Sequence, residues 1–134
     1  MFLAQLNEKQ KGLFLQLCSY AANSNGIFAE EEKIVMKEYC KEMEIDEPKN
    51  FEVTDDLEVV INKICDGATL RTRKLILVEI VALILSDKEY DELEQQFVNK
   101  IAKDFNVSAK EVEKVVQLLD TYQKACNEIV NFVG

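Results

Sequence analysis

The stretch Thr69–Ser108, TLRTRKLILVEIVALILSDKEYDELEQQFVNKIAKDFNVS, decides the fold of this chain. From Leu70 to Ser86 it is apolar nearly all round after Lys74, the pattern of a helix in the middle of a bundle. From Asp91 on, Phe97, Val98, Ile101, Ala102 and Phe105 recur at helical spacing, behind Asp91 and Glu94 in the spacing of a capping box. The stretch therefore reads as a helical hairpin. The same frame occurs 62 residues earlier, where Asn7–Asp46 aligns with it without a gap. Leu13/Leu75, Leu15/Leu77, Ser24/Ser86, Glu30/Glu92, Glu32/Glu94 and Lys41/Lys103 are identical. Lys9/Arg71, Lys11/Arg73, Asn25/Asp87, Phe28/Tyr90, Glu42/Asp104, Met43/Phe105 and Ile45/Val107 are similar in kind. Self-similarity at a fixed offset defines a structural unit.

Working outward, a first helix is expected over Asn7–Asn23, capped by Asn7 and Gln10, with Leu13, Phe14, Leu17, Tyr20 and Ala21 inward. Gly26 suits a left-handed cap in the turn that follows. A second helix, Ala29–Met43, opens on Glu30, Glu31 and Glu32, where the helix dipole favours carboxylates. Its expected apolar stripe is Ile34, Val35, Tyr39 and Met43. Thr54 is expected to cap a short third helix over Asp55–Cys65, with Leu57, Val60, Ile61 and Ile64 inward. Ser108 and Glu111 open a sixth helix, whose stripe runs from Val112 through Tyr122 and Cys126 to Ile129 and Val130. No segment reads as a strand. The expected fold is all-α: one domain over residues 1–134, a bundle of about six helices built on the repeats 7–46 and 69–108. One hairpin cannot bury its own apolar face, so the two copies should pack together, with helices three and six closing the core.

The net charge of -9 repels phosphate backbones and speaks against a nucleic-acid partner. Without histidine, Ser-His and Cys-His nucleophile pairs are excluded, as are mixed Cys/His zinc sites. No phosphate-binding glycine pattern occurs, and a paired-carboxylate hydrolase has no supporting spacing. Cys18, Cys40, Cys65 and Cys126 each fall in an apolar helical pattern and read as buried free thiols, which points to a reducing compartment. The longest apolar stretch, Leu75–Leu85, is eleven residues, short of the roughly 20 a bilayer requires, so a cytoplasmic protein that is not transmembrane is expected.

The two turns, Tyr20-Ala21-Ala22-Asn23-Ser24-Asn25-Gly26-Ile27-Phe28-Ala29-Glu30-Glu31-Glu32 and Ser86-Asp87-Lys88-Glu89-Tyr90-Asp91-Glu92-Leu93-Glu94, resemble the TerB-like, or tellurite-resistance TerB, family. Met1-Phe2-Leu3 and Glu38-Tyr39-Cys40-Lys41-Glu42-Met43 look like a branch of short bacterial members. The resemblance implies an all-helical fold, an association with stress response and binding of metal ions at acidic sites. Asn25 stands where the family pattern has Asp, and Lys88 where it has Gly, so two equivalent metal sites are not expected.

Glu79 is the sharpest single residue, because it interrupts the apolar run. A buried, unpaired carboxylate is costly, so it must be paired, protonated, metal-bound or exposed. Thr72, Glu79 and Ser86 share one stripe, and exposure along it is the plainer expectation. The functional alternative joins Glu79 to Asp87 and Glu94 as oxygen ligands for a divalent cation, Ca²⁺ or Mg²⁺. Glu79 and Asp87 lie about 12 Å apart along a straight helix, so sharing an ion requires the chain to turn back. A capping box explains Glu94, three residues after Asp91, better than a ligand role does, and Asp87 can cap the turn itself. The basic cluster Arg71-Thr72-Arg73-Lys74 reads as a solvated first turn, with docking of a partner's carboxylates as the alternative. The leading expectation is a non-enzymatic helical module that acts through contacts with other proteins. A divalent-cation sensor at the second turn is the alternative.

Overall fold

The computed structural model describes residues 1–24, 29–47, 55–86 and 90–134. Gly26, Thr54, Asp87 and Lys88, to which the sequence assigned roles, lie outside these residues. A 3-10 turn at Leu3–Gln5 precedes α1 (Glu8–Ala22), α2 (Glu30–Glu42), α3 (Leu57–Gly67), α4 (Leu70–Leu85), α5 (Glu92–Asp104) and α6 (Ala109–Val133). Among the described residues there is no strand, and no helix is long and apolar enough to cross a membrane.

The helix limits repeat at the offset read from the sequence. Glu8, Glu30 and Glu42 of the first hairpin fall on Leu70, Glu92 and Asp104 of the second. Their ends repeat as well. At the N-termini, Asn7 accepts from the Gln10 amide and Thr69 from the Thr72 amide. At the C-termini, Glu44 (φ 55°) and Asn106 (φ 64°) adopt the left-handed conformation. Ile45 N–H then donates to Cys40 C=O at 3.1 Å, and Val107 N–H to Ala102 C=O at 2.8 Å, closing the same Schellman turn twice.

α4 is the central helix, packed against α1, α2, α5 and α6, as its nearly continuous apolar surface requires. α3 covers α1. The core runs through Phe14, Leu17, Met36, Ile61, Ile76, Ile80, Val98 and Phe105, all fully buried. Phe14 meets the Tyr39 ring at 5.4 Å between centroids, tilted by 56°.

Two expected stripes are corrected. On α2, Ile34 is exposed and Val35 only half-buried; the buried face is Glu32, Met36, Tyr39, Cys40 and Met43. Glu32, which caps the helix, lies on this inward face. On α6, only Val112 is buried; Val115, Val116 and Leu119 pack on the core from its edge, and Tyr122, Ile129 and Val130 are exposed. Beyond Cys126 the apolar residues of the helix, Ile129, Val130, Phe132 and Val133, are left exposed.

Candidate functional site

The expectation that Glu79 faces solvent is overturned. Glu79 is 3 % exposed and is covered by the N-terminal segment, while Thr72 and Ser86 on the same stripe are half-buried. Glu79 Oε1 accepts from the Phe2 amide at 2.9 Å and lies 3.1 Å from the Met1 amine. Glu42, at the last turn of α2, works beside it: Oε1 pairs with the Met1 amine at 2.5 Å and Oε2 accepts from the Leu3 amide at 2.6 Å. The first amides of a helical turn have no partners within it. Here two carboxylates from different helices supply the acceptors, and Leu3 is thereby pinned fully buried.

The surroundings are buried. Tyr39 Oη donates to the backbone C=O of Glu79 at 2.7 Å. Burial, reinforced by the Glu79 charge, holds the Tyr39 phenol well above its usual pKa. Burial likewise pushes up the Cys18 thiol, with Cys40 and Glu79 adding to the effect. All four cysteines are free, but only Cys18 and Cys40 are buried; Cys65 and Cys126 are half-exposed, a correction to the expectation for all four. The Met1 amine is desolvated, which lowers its pKa, yet the hydrogen bonds it donates to Glu42 and Glu79 outweigh this and leave it raised.

Glu94 is 1 % exposed and accepts from the Asp91 amide at 3.1 Å, while Asp91 accepts from the Glu94 amide at 2.8 Å. This is the capping box read from the sequence. Its repeat mate Glu32 is also 1 % exposed and accepts from the Ala29 amide at 3.2 Å. Among the described residues, no group of three or more Asp, Glu, Cys or His side chains is placed to hold a metal ion; Asp87 lies outside them. The acidic neighbour that Glu79 has is Glu42, which sequence reasoning missed. The available signal was the apolar start Met1-Phe2-Leu3, whose amides need acceptors once it is buried.

The basic cluster on α4 is spent within the molecule. Arg71 donates to Gln5 at 2.5 Å, Arg73 to the Phe105 C=O that ends α5 at 3.2 Å, and Lys74 pairs with Glu111 of α6 at 3.1 Å.

The remaining feature is α6. Phe132 is 91 % and Val133 80 % exposed, in line with exposed Tyr122, Ile129 and Val130. At the foot of this face, Ala82 and Leu85 of α4 with Leu119, Tyr122 and Cys126 line a groove of about 230 Å³. No protein-family model matches this sequence, and comparison with curated proteins and with solved structures gives no significant match.

Proposed function

We propose that this chain is a non-enzymatic helical module that works by protein–protein contact through the distal half of α6 and the groove beside it. The carrying observation is the exposed apolar face from Tyr122 to Val133 on an otherwise acidic protein. Surfaces of that kind mark interaction sites, because contiguous apolar patches beyond a few hundred Å² are rare on monomers. The carboxylates that might have served chemistry, Glu42, Glu79 and Glu94, instead accept backbone N–H groups. The duplicated hairpin with its paired caps fits a TerB-like reading, and through it a stress-response role. Free thiols suit a reducing compartment such as the cytoplasm.

Photo-crosslinking from a benzoylphenylalanine placed at Ile129 in producing cells tests this reading. Adducts to a protein chain are expected, and Phe132→Glu should abolish them. Two results would overturn it. One is the absence of any protein adduct. The other is turnover in a hydrolase or transferase panel that Glu79→Gln removes while the circular dichroism stays intact.

The alternative, a Ca²⁺ or Mg²⁺ sensor on Glu79, Asp87 and Glu94, is tested by calorimetric titration of the wild type against Asp87→Asn. Heat lost on that substitution would establish it; no heat is the outcome expected here.

A further inference from the structure

Val115, Leu119, Tyr122, Cys126, Ile129 and Val133 follow one another at alternating spacings of four and three, the seam of a heptad repeat. The seam's flanks, Val116, Leu118, Gln123, Ala125, Val130 and Phe132, carry no charge. Every charged residue between Val112 and Val133 (Glu113, Lys114, Asp120, Lys124 and Glu128) falls on the opposite face. The first half of the seam is used inside the molecule, where Val115 and Leu119 pack on the core. The second half lies open.

We propose that this open half is the interface of a two-fold homodimer in which two copies of α6 pair antiparallel. The inference rests on the protein-contact reading above and names its partner. Place the two-fold axis between Asn127 and Glu128. Tyr122 of one copy then meets the partner's Val133, and Cys126 meets the partner's Ile129. The two-fold repeats both layers in reverse, giving four consecutive seam layers built from the exposed half alone. Beside the seam, the largest flanking side chain, Phe132, lies against the smallest, the partner's Ala125. A face that closes on itself in this way is what an isologous interface requires.

Size and charge favour the same occupant. Tyr122, Ile129, Val130, Phe132 and Val133 are all more than half exposed. Together they present on the order of 700 Å², close to what one partner gives to a standard interface. A chain of net charge -9 repels its own copies over most of its surface. The distal seam, with charge only on the far side of the helix, is where two copies can meet without that penalty.

Sedimentation velocity across a concentration series tests the proposal, using the full chain. A monomer–dimer equilibrium in the micromolar range is expected. Phe132→Glu should raise the dimer Kd at least about thirtyfold, the effect of losing an aromatic hot spot. Ala125→Phe alone should weaken the dimer by crowding the partner's Phe132. The double variant Ala125→Phe/Phe132→Ala, which exchanges the large and small partners, should pair more tightly than either single variant. Both sites are exposed in one copy, so thermal melts verify that each variant still folds. A wild type that stays monomeric at about 1 mM overturns the proposal, as does a dimer indifferent to Phe132→Glu, or a double variant no tighter than the singles. A monomer that still loses a different protein's crosslinks on Phe132→Glu would refute the homodimer and leave the protein-contact reading standing.

Discussion

The two hairpins begin, end and cap alike, yet they differ at the position where each meets the segment before it. The offset that superposes the hairpins carries residues 1–6 onto 63–68, the last turns of α3. Leu3 thereby corresponds to Cys65, Glu42 to Asp104 and Glu79 to Leu17. In the first setting the preceding segment is a 3-10 turn, and Glu79 and Glu42 accept from its Phe2 and Leu3 amides. In the second setting the equivalent amides sit deep in α3 and are satisfied by its own backbone. No acceptor is needed there, and the counterpart of Glu79 is a fully buried leucine. Asp104, the counterpart of Glu42, instead pairs with Lys100 at 3.0 Å on the surface. A carboxylate in an apolar helix is thus a response to unpaired amides in the segment that covers it.

The severest way to break the comparison is to give the second setting the first one's carboxylate. Leu17→Glu buries an acid where no free amide faces it, and should cost more than about 4 kcal/mol or prevent folding, as an unpaired buried charge does. Leu17→Ala, which removes only packing, should cost about 2–5 kcal/mol by urea unfolding. Were Leu17→Glu no worse than Leu17→Ala, the difference between the settings would not be one of amide supply.

Next in size is Glu79→Gln, which keeps the shape but withdraws the charge from the Phe2 amide and the Met1 amine. A loss of about 1.5–3 kcal/mol is expected, the range for hydrogen bonds to charged groups. Asp104→Asn should stay within about 0.5 kcal/mol, as surface pairs do. Equal losses would make the two settings equivalent.

Smaller again is an effect at the shared Schellman turn. Asn106 tolerates its left-handed φ, whereas Glu44 adopts the same conformation with a longer side chain. Glu44→Gly should stabilise the chain by about 0.5–1 kcal/mol, and Asn106→Gly by less, in paired thermal melts.

The smallest expected effect is on pH dependence. The Met1 amine has a pKa raised above its ordinary value near 8.0 in the folded chain. A raised folded pKa contributes stability that is whole below the unfolded value and disappears as pH rises through the folded one. Stability should therefore fall more steeply above about pH 8 in the wild type than in a Glu42→Gln/Glu79→Gln variant. Because the amine is nearly half exposed, solvent screening keeps the difference small. Parallel pH profiles would show that the amine contributes nothing to holding the first segment.

The helices were legible because their signals are local. Apolar spacing and the pairs Asn7/Gln10, Asp91/Glu94 and Ser108/Glu111 act within one or two turns, and the structure makes each of those caps. The central place of α4 was legible too, since a helix without a polar face has nowhere else to go. What failed was the inference from hydrophobicity to burial. Ile34 is exposed and Glu32 buried, so the inward face of α2 is not its most hydrophobic one. Tyr122, Ile129 and Val130 form the stripe that was read from them, but a stripe says only that a helix seeks a cover, not that its own chain provides one.

The candidate site divides along the same line. Sequence could single out Glu79 as costly unless paired, and Glu94 as a cap three residues from Asp91. It could not name the groups that pair with Glu79. The Phe2 amide is 77 residues away in the chain, and Glu42, which shares the Met1 amine with Glu79, sits on another helix. By itself, then, the sequence determined where most of the helices lie, because capping and periodicity are settled by neighbours a few residues apart; the third, expected over Asp55–Cys65, instead runs Leu57–Gly67. Only the tertiary structure decided that Glu79 faces the first residues, and that the end of α6 is left exposed. Which surface covers which depends on how far each helix reaches past its neighbours, and no local pattern carries that length.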